Sequence, residues 1–229
     1  MDTHINNISM LIDIHTHKQK TDCNCFYILN CEMDQVGELE QATALSVGIH
    51  PWKINECSRA RLADMARTMN EKNVVAVGEI GLDKQTTADM EVQKTVFTAQ
   101  MKMAAIANKP VIIHCVKAVE ELQNCIKTCQ ILPPAMLIHG FRGKPEQAMQ
   151  LVRNGFMLSF GVKHNTESLL AIPRDSFLLE TDDSDTKIAD VYRNVATELG
   201  CSIEELETEM EKNCDRFLSA VNIDYMSQK

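Results

Sequence analysis

Apolar residues come in short runs, each followed by a longer stretch in which they recur at helical spacing. Met10 to Ile14, Cys25 to Leu29, Ala44 to Ile49, Val74 to Val77, Val111 to Ile113, Met136 to Ile138, Gly155 to Phe160 and Phe177 to Leu179 are too short for helices and too continuously apolar for half-exposed strands. Each predicts a buried strand. Between them, Leu62, Met65, Ala66 and Met69 predict a helix over Ser58 to Lys72, and Val92, Val96, Met103 and Ile106 predict one over Glu91 to Asn108. Val119, Leu122, Ile126 and Cys129 predict a third, and Ala148, Leu151 and Val152 a fourth, with Pro145 in its first turn. Ile188, Val191, Tyr192, Val195 and Leu199 predict another. Ser202 and Glu205 have the spacing of a capping box for the helix after that, and a last helix is expected over Asn213 to Val221. The early strands are connected differently. Lys18 to Asn24 is short and polar, and Glu32 to Gln41 is acidic and at most a short helix.

Apolar strands alternating with helices imply a parallel sheet covered on both faces. Eight of them predict a (β/α)8 TIM barrel, distorted and trimmed around its first two βα units. A doubly wound sheet is the alternative. No internal repeat or low-complexity linker divides the 229 residues, so a single domain spanning 1–229 is expected.

The residues at the strand ends decide between the two architectures. His15 and His17 stand two apart, so on a strand their imidazoles share a face and are spaced to grip one metal ion. Glu79, His114, His139 and Asp182 lie at or just past the ends of four other predicted strands. Each has an ordinary reading on its own. A His-x-His is common in loops, Glu79 reads as a solvated or helix-capping group, and His114 or His139 as a core histidine. Asp182 in Thr-Asp-Asp is good N-cap chemistry. Only a barrel brings all these ends to one mouth, and their coincidence there points to a metal centre.

Composition changes the picture modestly. Apolar content of 45% and charged content of 24% are those of an ordinary globular protein. The net charge of −9 argues against broad coating of nucleic acid or of an anionic membrane. Yet Lys18, Lys53, Lys84, Lys117, Arg142 and Lys163 each fall a few residues past a strand end, which would ring the mouth with positive charge and favour an anionic substrate. No apolar run approaches the ~20 residues of a membrane span, no signal peptide is visible, and the nine cysteines read as scattered thiols of a reducing cytoplasm.

Several stretches carry a family resemblance. They are Ile12-Asp13-Ile14-His15-Thr16-His17, Gly48-Ile49-His50-Pro51, Val77 to Asp83 (VGEIGLD), Lys109 to His114 (KPVIIH), His139-Gly140-Phe141 and Leu178 to Asp182 (LLETD). In order and spacing the chain resembles the TatD-type metal-dependent hydrolases. The resemblance implies a distorted TIM barrel with two divalent ions, zinc, manganese, nickel, iron or magnesium, and cleavage of phosphodiesters, often DNA. By carry-over, His15, His17, Glu79, His114, His139 and Asp182 are the metal ligands, Glu79 bridges, and Asp182 is the base for the attacking water. His50, Lys117 and Arg142 are expected to contact substrate: a small anionic molecule or nucleic-acid ends, since no extended basic groove is evident. The departures lie on the substrate side. Lys18-Gln19-Lys20 replaces the usual acidic residue, Trp52 stands where many members have histidine, and Cys115-Val116-Lys117 and Asp183-Ser184 replace common motifs. An amidohydrolase or lactonase on the same centre, or a non-catalytic metal-stabilised binding protein, is therefore the alternative function.

Overall fold

All eight predicted strands are present and pair in parallel in chain order, β1 with β2 through to β7 with β8. A computed structural model provides this architecture and describes residues 10–20, 24–39, 44–56 and 59–221. The strands are β1 Leu11–Thr16, β2 Cys25–Asn30, β3 Ala44–Val47, β4 Val74–Asp83, β5 Val111–Val116, β6 Met136–Ile138, β7 Phe156–Phe160 and β8 Phe177–Leu179. Outside them lie α1 Arg59–Thr68, α2 Met90–Ile106, α3 Val119–Thr128, α4 Pro145–Arg153, α5 Thr166–Ala171, α6 Ile188–Leu199 and α7 Ile203–Leu218. The first connections are trimmed as expected: among the described residues no helix follows β1, and β2 is followed only by turns.

Several elements differ from the sequence reading: β5 runs on to Val116, three residues past its expected end, and β3 stops at Val47, two short of its expected end. β4 runs through Gly78 to Asp83, where a strand end was expected. All ten of its residues are buried, so no alternation marks its length. Gly81 permits the extension, because a Cβ there would lie 1.9 Å from the His114 carbonyl oxygen of β5. The capping-box helix and the expected last helix are one element, α7, whose Ser202 and Glu205 do exchange hydrogen bonds. Helix α5 was not foreseen, since six residues are too few to show a period.

The cysteine expectation holds for Cys31, Cys115, Cys125, Cys129, Cys201 and Cys214, which are thiols outside any disulfide. Cys25, at the start of β2, is disulfide-bonded instead. Pairing depends on how loops bring sulfurs together, which spacing does not encode.

The barrel closes between β8 and β1, and only at their C-terminal ends. Thr16 and Asp182 form a single parallel bridge. The Asp182 N–H donates to the His15 carbonyl at 3.0 Å, and the His17 N–H to the Asp182 carbonyl at 3.1 Å. Beneath this bridge, the buried Asp13 carboxylate accepts from the backbone N–H of Thr181 at 2.9 Å and from its hydroxyl at 2.7 Å. At the other end β8 does not reach β1, and the Tyr192 hydroxyl of α6 takes its place. It accepts from the Ile12 N–H at 3.0 Å and donates to the Ile12 carbonyl at 3.2 Å.

Two glutamines of α2 hold the neighbouring strand ends. Gln93 and Gln100 are seven apart, two turns along one helix face, and both are buried. Gln100 accepts from the Ile49 N–H at 2.7 Å and donates to the Ile49 carbonyl at 3.2 Å, fixing the chain just before His50. Gln93 does the same for Asp83, at 2.8 and 3.0 Å.

The seam gives a direct test. Tyr192→Phe keeps the ring but leaves a buried N–H and C=O without a partner. Urea unfolding should show a loss of about 1–3 kcal/mol with an unchanged m-value; a variant as stable as wild type would mean the hydroxyl does not close the seam.

Candidate metal centre

The other five predicted ligands gather around Glu79. Its Oε2 lies 3.6 Å from His15 Nε2 and 3.1 Å from His17 Nε2. Its Oε1 lies 3.0 Å from His114 Nδ1 and 2.6 Å from His139 Nε2. Asp182 Oδ1 completes the first half, 3.6 Å from His15 Nε2 and 3.5 Å from His17 Nε2. Three overlapping groups have ligand-type atoms within 4.8 Å of one another: His15, His17 and Glu79; His15, His139 and Asp182; and His50, Glu79 and His114.

The strands explain this convergence. His15 and His17 leave the seam end of β1, and Asp182 follows β8 across that same seam, in a left-handed backbone conformation with φ 53°. His114 lies on β5 beside Gly81 of β4, and His139 directly follows β6.

Further carboxylates flank two of these imidazoles. His114 stands between two carboxylates, Nε2 3.1 Å from Asp83 Oδ2 and Nδ1 3.0 Å from Glu79 Oε1, so a proton kept at Nε2 by Asp83 would leave Nδ1 as the donor atom for a cation. His139 Nδ1 faces Glu180 Oε1 at 3.9 Å, and Glu180 accepts from the Ser159 hydroxyl at 2.5 Å. His50 is arranged the other way. Its Nδ1 accepts from the Trp52 backbone N–H at 3.1 Å, so Nε2 carries the proton and points it at Glu79 Oε1, 3.4 Å away. In the neutral ring its Nε2 is therefore a donor.

The donor set fits a cation. Both ring nitrogens of His15 and of His139 are buried without an aligned hydrogen bond, although carboxylate oxygens lie close by. Buried imidazoles in that condition are costly unless something accepts their lone pairs.

Charge is shared accordingly. Burial would raise the Glu79 pKa, but the charge of His139 and the imidazole nitrogens of His114, His139 and His17 set against its oxygens hold it well below the usual carboxylate range. Asp182 is brought to about 2, burial being outweighed by the neighbouring His15 imidazole and the charge of His139. His17 is raised by its bond to Glu79. His139 is raised well above the usual value, burial being outweighed by the charge of Glu79.

The profile of the family described as TatD related DNase matches residues 17–219. The chain belongs to the TatD-related DNase family. Over 145 residues it is 32% identical to the uncharacterized metal-dependent hydrolase YabD of Bacillus subtilis, covering 60% of this chain and 57% of that protein. It is 32% identical over 148 residues to the 3'-5' ssDNA/RNA exonuclease TatD of Pantoea ananatis, covering 60% of this chain and 56% of that one. The chain thus spans somewhat over half the length of these relatives. The crystal structure of the TatD homologue YjjV from Escherichia coli superposes with a TM-score of 0.78 at 22% identity, over 91% of this chain and 98% of that one, which supports the barrel fold. No helix among the described residues is long and apolar enough to cross a membrane.

On the substrate side of this TatD-family chain, the expected ring of positive charge is partly cancelled. Lys18 is paired with Asp185, Lys53 with Glu32 and Lys84 with Glu121. Lys117 and Arg142 are exposed, have no ion pair among the described residues, and line a cavity of about 850 Å³ that opens from His114, His139 and Asp182. Cys115 lines the same cavity, but burial pushes its thiol up to about 12, so it is no nucleophile. The sequence reading assigned no role to Asp83, Glu180, Gln93 or Gln100. Asp83 was detectable: on a strand, positions 79 and 83 face the same way.

The raised His17 and His139 imply that a cation must displace protons. Metal affinity should therefore be weakest at low pH and climb as pH rises through the range where these imidazoles titrate. Calorimetric zinc titration of chelator-stripped protein, in buffers of different ionisation enthalpy, should show net proton release. Equal affinity at pH 5.5 and pH 8, without release, would exclude these histidines as ligands.

Proposed function

We propose that this protein is a two-metal hydrolase of phosphodiesters acting on nucleic-acid ends or short strands. The observation that carries the reading is the division of Glu79, with imidazoles of His15 and His17 at one oxygen and of His114 and His139 at the other. That is the donor set for a pair of divalent cations bridged by a carboxylate. His15, His17 and Asp182 would hold one ion and His114 and His139 the other, Glu79 serving both. Nitrogen and oxygen donors together suit zinc, manganese, nickel or iron better than magnesium. Such ions, when bound, acidify water and stabilise charge on phosphoryl oxygens.

The protein's own residues supply the rest. Asp182 is ionised and takes the proton of the attacking water. Its low pKa owes much to the imidazole charges around it, and it becomes the better base when those are neutral. His50 donates from Nε2 to a substrate oxygen. Lys117 and Arg142 hold the substrate's negative charge at the cavity wall. The Pantoea ananatis relative's name as an ssDNA/RNA exonuclease agrees with this substrate class.

A screen against a phosphodiester, a phosphomonoester and a lactone, with and without chelator, separates this reading from a lactonase and from a non-catalytic binding protein. Asp182→Asn should lower kcat about 10²- to 10⁴-fold, the usual worth of a general base, while the protein stays folded. Near-wild-type turnover would remove Asp182 from the chemistry. Lys117→Ala and Arg142→Ala should mainly raise KM for charged esters, each by roughly 2- to 5-fold, and less as salt rises. If both are silent on phosphodiesters at low salt, these cations do not bind substrate.

A further inference from the structure

Trp52 is the single tryptophan of the chain, and it is 66% exposed at the mouth. Its ring stands perpendicular to His50, with centroids 5.2 Å apart, and 6.4 Å from the ring of His114. The indole is fixed in place. Its Nε1–H donates to Asp83 Oδ2 at 2.7 Å, the same oxygen that faces His114 Nε2 at 3.1 Å. Asp83 is 1% exposed, and its other oxygen accepts from the Gln85 N–H at 2.7 Å. A buried acceptor thus holds the edge of the ring while much of the residue stays in water. Holding a large apolar ring still and uncovered is unfavourable until another flat surface covers it.

The surroundings indicate which surface. Trp52 lines a cavity of about 490 Å³ with His17, His50, Glu79, Asn30 and Gln35. The Asn30 side-chain oxygen accepts from the Ser46 hydroxyl, and that of Gln35 from the Glu32 N–H. Neither amide nitrogen makes a hydrogen bond among the described residues, so both remain donors for the edge of a ring. Glu32, on the same wall, is held by Lys53 and Arg61, and so does not draw a cation over the indole.

We propose that Trp52 is the stacking platform of a nucleobase subsite, with Asn30 and Gln35 meeting the base edge. The attached phosphodiester would lie over Glu79 and Asp182. Asp83 is the positioning residue that orients the platform and His114 together. This rests on the phosphodiester reading above and narrows it to substrates with a base beside the scissile bond.

The lone tryptophan is its own probe. Metal-loaded protein is titrated with a single-stranded DNA tetramer linked by phosphorothioates, which slow cleavage, and with a tetramer of the same backbone lacking bases. Saturable quenching by the first and not the second is expected. In kinetics on ordinary linkages, Trp52→Ala should raise KM for base-bearing DNA roughly 5- to 150-fold, the effect of one lost stacking contact, with kcat little changed. Trp52→Phe should keep most of the preference for base-bearing over abasic strands. If wild-type protein shows no base-dependent quenching, or Trp52→Ala keeps the wild-type preference, the subsite is wrong. Base-dependent quenching without cleavage under any divalent metal would support the subsite and remove the phosphodiesterase reading. Cleavage indifferent to bases would do the reverse.

Discussion

Closure of the barrel between β1 and β8 is the constraint on which the centre depends. The two backbone bonds between His15, His17 and Asp182 are at once the end of the sheet and the floor of the metal site. They fix the backbone that carries the candidate ligands, because the peptide units there are already paired. Below them Asp13 clamps Thr181, and at the far end Tyr192 closes what β8 is too short to reach. Each of these groups is buried, so none can exchange its partner for water without a penalty.

The opposite side of the centre is fixed by a different device. β4 and β5 approach closely at Gly81, and Gln93 and Gln100 of α2 hold the backbone at Asp83 and Ile49. His114 therefore meets Glu79 and Asp83 from a strand that cannot slide, and His50 leaves a turn whose first residue is tied to a helix. This side is preorganised by neutral, hydrogen-bonded amides, while the centre itself carries concentrated charge. There, ionised carboxylates and raised imidazoles balance one another, an arrangement that a cation can enter by displacing protons.

Substrate-side chemistry is less uniform. Half of the expected cationic ring is spent on ion pairs with Asp185, Glu32 and Glu121, which leaves the positive field to Lys117, Arg142 and Lys163. The mouth thus divides into a cavity with two cations that have no ion pair among the described residues and another with a fixed indole and two amide donors, both reaching His114, His139 and Asp182. An anionic group attached to a flat polar ring is the ligand shape that uses both.

Much of this was legible in the sequence, for a definite reason. Strands buried on both faces and helices with one apolar stripe are periodic, and ligands placed at strand ends inherit one face from the barrel's parallel geometry. That placed His15, His17, Glu79, His114, His139 and Asp182 before any coordinates. What the sequence did not carry was whatever depends on distance across the barrel. The length of β4 was hidden because burial on both faces erases alternation. The pairing of Lys18, Lys53 and Lys84 depends on loops meeting, and so does the Cys25 disulfide. Gln93 and Gln100 read as ordinary helix polars until the strand ends they hold were brought beneath them. The tautomer of His50 rests on a backbone N–H two residues away, and the fixing of Trp52 on a carboxylate thirty-one positions further along. The sequence determined which side chains face the mouth; only the folded chain decided which of them are already engaged and which remain free for a ligand.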